Sequence, residues 1–121
     1  MKFLRTSPNF PFSAAVIYSG RTLETVLTGI PPGSNAPVTG GVAEELREIF
    51  RQLDDILATA DVTKTSVCSV RLYLEHVLRD IAEVNAIYKE YFGSHPPNRR
   101  AYGVALQSSM LIEAAFVVEM P

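Results

Sequence analysis

The chain of 121 residues has one cysteine, two histidines and no tryptophan. A single cysteine excludes an internal disulfide, and three such side chains fall short of the usual four zinc ligands, so we expect no metal site. No apolar run reaches the length of about 18 residues that suggests a membrane span, and residues 1–10 lack the apolar core of a signal peptide. These absences predict a cytoplasmic protein. Cys68 lies in an apolar stretch, where we expect it to be a small buried side chain.

The charge is nearly balanced, with 11 basic and 13 acidic residues and a net charge of -2. No basic stripe or charged tail is present, so we expect no nucleic-acid partner. Hydrophobic residues make up 47% of the chain and charged residues 20%, which is typical of a globular protein. The length predicts one domain over residues 1–121.

Hydrophobic periodicity predicts the order β-β-α-β-α-β-β. Two segments have the three- and four-residue spacing of amphipathic helices, and Glu45 falls among the polar residues of the first. The first eleven residues are predicted to be irregular, because Pro8 and Pro11 interrupt them. The predicted helices span residues 42–60 and 78–92, and the predicted strands span residues 12–19, 22–29, 66–74, 100–106 and 110–118.

Two helices and at least five strands favour one sheet with both helices packed on one face. The other face then has no cover within the chain, although valines and alanines recur on both sides of several strands. A large exposed apolar face is an aggregation liability, so we expect self-association to cover it.

The segment "HPPNRRAYGVA" places two arginines at the start of a predicted strand. Alternation puts Arg99 on a face of small residues and Arg100 on a face of bulky ones, so Arg99 is the better candidate to face a pocket or a closely approaching subunit. A guanidinium binds a carboxylate through two parallel hydrogen bonds. Two alternatives remain open: both arginines are solvated at a strand end, or a β-bulge exchanges their faces.

Glu113 is a lone carboxylate in the apolar run "MLIEAAFVV". Burying an unpaired charge is costly, so Glu113 either pairs with an arginine in a structural ion pair or acts as an acid/base group. A short turn at residues 107–109 separates its strand from that of Arg99, which predicts antiparallel pairing of the two strands. Arg99 and Glu113 would then meet in a crevice that a second copy helps to enclose.

Four segments, "PFSAAV", "LTGIP", "VNAIYKEYFGSHPPNRRA" and "LIEAAFVV", resemble the RidA/YjgF family of reactive imine and enamine deaminases. The resemblance covers nearly the whole chain in the right order. It implies an α+β, chorismate-mutase-like domain with a mixed β-sheet, assembled as a homotrimer with clefts between subunits. It also implies hydrolysis of 2-imino or 2-enamino acids to 2-keto acids and ammonia, without a metal or organic cofactor.

The resemblance also implies roles for individual residues. Arg99 matches the arginine that binds the substrate carboxylate, and Glu113 matches the glutamate that positions water and acts as acid and base. Thr28 falls on the pocket serine, beside Gly29, and Asn85 falls on a structural asparagine of the second helix.

Three positions depart from the family pattern, which makes this chain a divergent member. Phe12 stands where a pocket tyrosine is usual, Arg100 replaces a small hydroxyl residue, and Ala101 replaces a frequent cysteine. The altered pocket leaves other functions open. One is a non-catalytic protein that binds or senses a small carboxylate such as a keto acid. Another is hydrolysis of a dicarboxylic imine with Arg100 on the second carboxylate. A ribonuclease activity, also attached to this family, is disfavoured by the acidic composition.

Overall fold

The computed structural model describes every residue from Met1 to Pro121. The elements are β1 (Lys2–Thr6), β2 (Ser13–Tyr18), β3 (Thr22–Thr28), α1 (Val42–Thr59), β4 (Val67–Leu74), α2 (Val77–Phe92), β5 (Asn98–Gly103) and β6 (Ile112–Glu119), with a short 3-10 helix at Lys64–Ser66. The strands form one six-stranded sheet in the order β1-β2-β3-β6-β4-β5. The predicted α+β class, with two helices and a mixed sheet, is confirmed.

The prediction that residues 1–11 are irregular was wrong for β1. Lys2–Thr6 pairs antiparallel with β2, with Phe3 opposite Val16 and Leu4 opposite Ala15. The two prolines lie beyond this segment, in the connection to β2, so they end the strand without preventing it.

The predicted pairing of β5 with β6 was also wrong, because β4 lies between them. β5 runs parallel to β4, as a strand–helix–strand crossover through α2 requires, and β6 pairs antiparallel with both β3 and β4. The connection from β5 to β6 passes over the end of β4, where the Val104 N–H donates to the Leu74 carbonyl and the Glu75 N–H donates to the Leu111 carbonyl. The face of β6 that points to the helices is apolar, and the other face carries Ala115 and Val117 together with Glu113 and Glu119.

The hydrophobic core lies between the two helices and one face of the sheet. The apolar stripe of α1 includes Leu46, Ile49 and Leu53, each fully buried, and α2 adds Val84. Phe116 of β6 is packed against Phe50 of α1, with ring centroids 6.5 Å apart. The prediction that both helices pack on one face is confirmed, and no helix of the chain is long and apolar enough to cross a membrane.

The opposite face of the sheet, here called the open face, has no helix over it. Val26 is 57% exposed and Phe3 59%, and Tyr102 is exposed as well. Ala115 and Val117 of β6 lie on this face between the neighbouring strands. The face expected to lack cover within the chain is therefore uncovered, and it carries apolar side chains.

Cys68 is exposed, so the expectation of a buried cysteine was wrong. The pairing of β4 with β6 shifts register between Val67 and Ser69, which is a β-bulge at Cys68. The extra residue turns outward from the regular alternation, and the Cys68 thiol points to the Val117 carbonyl at 3.3 Å.

Candidate active site

Arg99 points toward the helical layer. It lies opposite Val70 of β4, which is fully buried beneath the helices. The Arg99 Nη1 donates to Oδ1 of Asn85 at 2.7 Å, and the guanidinium lies 4.8 Å from the centroid of the Tyr88 ring. Asn85 and Tyr88 are three residues apart on α2, so one face of this helix holds the arginine in place. The other N–H groups of the guanidinium have no hydrogen-bond partner in the chain and are free to bind an anion.

The small residues beside Arg99 serve a different purpose from the one expected. The sequence favoured a concavity or a subunit contact, but the helix α2 approaches there. A Cβ on Gly103 would lie 2.7 Å from Cγ1 of Val77 at the start of α2, and Ala101 packs partly buried against the core. Small side chains therefore allow close packing of α2 on β5.

Tyr88 forms a neutral, buried surface beneath Arg99. Its hydroxyl is buried without a hydrogen-bond partner, and burial raises the pKa of Tyr88 to about 12, with the Arg99 charge acting in the opposite direction. The ring also packs against Phe92, with centroids 4.7 Å apart. An aromatic ring attracts a cation without supplying a counterion, so the positive charge of Arg99 remains available to an anionic ligand.

Glu113 lies on the open face of the sheet. Its cross-strand partners are Thr28 of β3 and Tyr73 of β4, and it is partly buried. The four ion pairs of the chain all lie on α1 and α2, so neither Glu113 nor Arg99 takes part in one. The predicted meeting of Arg99 and Glu113 within one sheet is therefore wrong.

Other predicted site residues gather near Glu113. Gly29 directly follows Thr28, whose hydroxyl accepts a hydrogen bond from the Ile30 N–H at 3.3 Å. Phe12 precedes β2 at the end of the sheet where β3 finishes, and it is 62% exposed and stacked on Phe10. This part of the chain offers a carboxylate, a hydroxyl and an exposed aromatic side chain.

Two buried polar residues of α1 support this end of the sheet, and the sequence pattern did not identify them. Oε1 of Glu45 accepts a hydrogen bond from the Leu111 N–H at 2.9 Å, immediately before β6. Nε2 of Gln52 donates to the carbonyls of Thr28 and Ile30 at 3.2 and 3.1 Å. Glu45 was expected among the solvated residues of the helix, but it is only 3% exposed. Its signal in the sequence is weak, because glutamate near a helix N-terminus is common on surfaces.

Replacing Gly29 by alanine is expected to destabilise the fold by about 1–3 kcal/mol, the usual cost of overpacking. The new Cβ would lie 2.7 Å from Cβ and 2.9 Å from Cα of Glu45, so α1 would have to move. Chemical denaturation measures the change. Gly103→Ala is the comparison variant: its Cβ would also lie 2.7 Å from another atom, but from the side chain of Val77 and not from the backbone of a helix, so we expect a smaller loss. Equal losses in the two variants would contradict the close approach of Gly29 to α1.

Glu45 makes the stability depend on pH. Burial raises the pKa of Glu45 above its ordinary value, the Leu111 and Ile112 N–H groups lower it, and the Asp80 charge raises it. An acid with a raised pKa in the folded state binds more protons there than in the unfolded state, so stability falls as pH rises through that range. Glu45→Gln keeps an acceptor for Leu111 and removes the titration. We expect the wild type to lose unfolding free energy relative to Glu45→Gln as the pH rises above 4.5, the ordinary pKa of a glutamate. If denaturation experiments show that the unfolding free energies of the wild type and Glu45→Gln change in parallel over that range, this assignment is wrong.

The predicted site residues form two separate groups in one chain. Arg99, Ala101 and Asn85 lie at the β5 edge on the helical side, and Glu113 and Thr28 lie on the open face. Arg99 is level with Phe116, and Glu113 lies three residues along β6 from it, which corresponds to about 14 Å between the Cα atoms of Arg99 and Glu113. Two shallow surface depressions, of about 400 and 390 Å³, include none of these residues. No group of three or more His, Cys, Asp or Glu side chains is placed to hold a metal ion.

A family model described as Endoribonuclease L-PSP matches residues 4–120 of this sequence. The chain belongs to the RidA/YjgF family. The match begins within β1 and extends over every other strand and both long helices, so the resemblance of the four sequence segments is confirmed for nearly the whole chain.

Curated members of the RidA/YjgF family are similar to this chain. The human protein named 2-iminobutanoate/2-iminopropanoate deaminase is 37% identical over 95 residues, which cover 78% of this chain and 69% of that protein. A RutC family protein of Pyrococcus abyssi is 31% identical over 107 residues, covering 88% of this chain and 84% of the relative.

Solved structures of the family share the fold. The YjgF gene product of E. coli superposes with a TM-score of 0.82 at 22% identity, covering 100% of both chains. Yeast Mmf1 superposes with a TM-score of 0.84 at 21% identity, covering 100% of this chain and 95% of the other.

Proposed function

We propose that this protein hydrolyses reactive 2-imino or 2-enamino acids to 2-keto acids and ammonia, at clefts formed between subunits of a homotrimer. The observation that carries the proposal is the free, pre-positioned guanidinium of Arg99, held by Asn85 over a neutral ring. The human relative that is 37% identical is named as a deaminase of 2-imino acids, which supports the same reaction class here.

The chemistry follows from the two groups. Arg99 binds the substrate carboxylate through its free N–H donors and fixes the position of the imine carbon. The Glu113 carboxylate orients a water molecule and accepts its proton as the oxygen attacks that carbon. Glu113 then gives the proton to the nitrogen of the tetrahedral intermediate. The resulting carbinolamine collapses as Glu113 takes the proton of its hydroxyl group and passes it to the nitrogen. The carbon–nitrogen bond breaks, a carbonyl forms, and ammonia leaves. No cofactor takes part in this scheme.

The proposed cleft takes its two halves from different subunits. Within one chain Arg99 and Glu113 lie on opposite sides of the sheet, so a single subunit cannot bring both to one small substrate. Burial of the apolar side chains of the open face against another copy supplies a driving force for assembly. Arg99, Ala101 and Asn85 would form one wall, and Phe12, Thr28, Gly29 and Glu113 of the next subunit the other.

A coupled assay tests the activity. An amino-acid oxidase generates 2-imino acids from a panel of amino acids, and semicarbazide traps the imine before it hydrolyses. The protein should lower the yield of semicarbazone for at least one substrate, because it removes imine faster than the trap does. Binding of keto acids without any such effect across the panel would instead favour the non-catalytic sensor.

The departures from the family pattern bear on the substrate. Phe12 supplies an apolar wall without a hydroxyl, so the pocket should favour an apolar imine side chain. The same panel, which includes alanine-, leucine- and aspartate-derived imines, reports this preference. We also propose that the protein is cytoplasmic and that RNA is not a substrate. Failure to bind RNA at both low and high salt would agree with the absence of an RNA substrate.

A further inference from the structure

Three cross-strand rows run over the open face through β3, β6, β4 and β5. The outer rows are Glu24–Val117–Ser69–Asn98 and Thr28–Glu113–Tyr73–Tyr102, and the middle row is Val26–Ala115–Arg71–Arg100. These rows hold four charged residues. Glu24 lies at the β3 side and Glu113 on β6, and two arginines lie next to each other on β4 and β5. Glu113 forms an ion pair with neither arginine.

The pair of Arg71 and Arg100 lacks a counterion in the chain. The two residues are direct partners on adjacent strands, an arrangement that is unfavourable for like charges. Arg71 donates only to the Val70 carbonyl, and the Arg100 guanidinium lies 5.8 Å from the centroid of the Tyr102 ring. None of the four ion pairs of the chain includes either residue. An anion from outside the chain would relieve this repulsion.

Glu24 is the complementary case. It is exposed on the open face between two valines, Val16 of β2 and Val117 of β6, and it has no basic partner. It lies two strands from Arg71 and three from Arg100, and two residues along the strands from both, which corresponds to about 12 and 16 Å between Cα atoms, so the sheet keeps these charges apart within a chain. Burying either side alone against apolar surface would leave unpaired charges in a nonpolar environment, which is strongly unfavourable.

We infer that the Arg71–Arg100 pair of one subunit binds Glu24 of a neighbouring copy of the same chain where their open faces meet. The inference rests on the proposed assembly. In this protein, the opposite charges at the β3 side and the β5 side of the open face determine how neighbouring subunits contact each other. In a rotational assembly each subunit presents its basic side to one neighbour and its acidic side to the other, so one pair of charges serves every interface. A dicarboxylic substrate on Arg71 and Arg100 is the competing occupant.

Charge reversal tests this contact. We expect Arg71→Glu/Arg100→Glu, and separately Glu24→Lys, to raise the protein concentration at half-dissociation at least about 100-fold, because like charges then meet at every interface. The variant carrying all three changes restores complementary charges and should assemble again. Arg47→Glu, on the exposed side of α1, is the control and should leave assembly unchanged. Sedimentation velocity measures the proportions of assembled and dissociated protein, and circular dichroism confirms that each variant is folded.

The outcomes separate the inference from the proposal on which it rests. A wild-type monomer would overturn the assembly itself. An assembled wild type whose charge-reversed variants assemble equally well would overturn only the ion contact. Intact assembly combined with loss of turnover of an aspartate-derived imine in Arg71→Glu/Arg100→Glu would assign the pair to a substrate, against the inference. Failure of the triple variant to reassemble, although folded, would likewise count against it.

Discussion

Replacing Arg99 by alanine is expected to lower kcat/KM for imine hydrolysis about 10²–10³-fold, the value of two lost charge-assisted hydrogen bonds. The loss should appear mainly as weaker binding, since the carboxylate is bound in the ground state and in the transition state alike. The fold should survive, because the guanidinium makes one side-chain hydrogen bond, to the exposed Asn85.

Two further variants test whether Arg99 is the residue that binds the substrate carboxylate. Arg99→Lys keeps the charge but loses the planar fork, so its activity should lie between those of the wild type and the alanine variant. Arg100→Ala, assayed at a protein concentration that keeps the assembly intact, removes the neighbouring arginine on the opposite face. If Arg100→Ala loses more activity than Arg99→Ala under these conditions, the assignment of the carboxylate to Arg99 is wrong.

Replacing Glu113 by glutamine is expected to lower kcat about 10²–10⁴-fold with little change in KM, the usual contribution of a positioned acid/base group. Glutamine has nearly the same shape, and Glu113 makes no ion pair in the chain, so folding and assembly should be retained. Glu119→Gln, at the far end of the same strand and face, is the matched control. A Glu113→Gln variant with normal kcat would exclude Glu113 from the proton transfers.

Mixing the two inactive variants tests whether the cleft takes its halves from different subunits. In a hybrid ring of Arg99→Ala and Glu113→Gln chains, a cleft with both wild-type groups forms wherever Arg99 of one chain faces Glu113 of the other. If equal amounts of the two variant chains assemble at random, about a quarter of the clefts contain both wild-type groups. Co-expression with two affinity tags yields the hybrids. Hybrids with no more activity than the separate variants would contradict a cleft shared between subunits.

Much of the fold was predictable because local periodicity reports which residues are buried. The three- and four-residue spacing predicted α1 and α2 to within one residue of the observed ends. Alternation correctly placed Glu113 on the same face as Ala115 and Val117. β1 was missed, since a short edge strand of exposed residues has no apolar alternation to reveal it.

The sequence singled out candidate site residues, but it did not predict how they are arranged. Arg99 and Glu113 were singled out by residue type and by resemblance to the family, and their roles stay predictions. The prediction that Arg99 and Glu113 lie close together was wrong, because the short turn between their strands was taken to mean that β5 pairs with β6. Glu45 was expected to be solvated, because nothing in the helix pattern shows that the Leu111 N–H needs an acceptor there.

The sequence alone determined the family, the two amphipathic helices, the alternating faces of the strands and the lack of cover for one face of the sheet. Only the tertiary structure decided that β6 lies between β3 and β4, and hence that Arg99 points to the helices while Glu113 points away from them. The physical reason is that periodicity records the burial of each strand separately. The order of strands depends on backbone pairing and on packing between segments far apart in the chain, which no local pattern encodes.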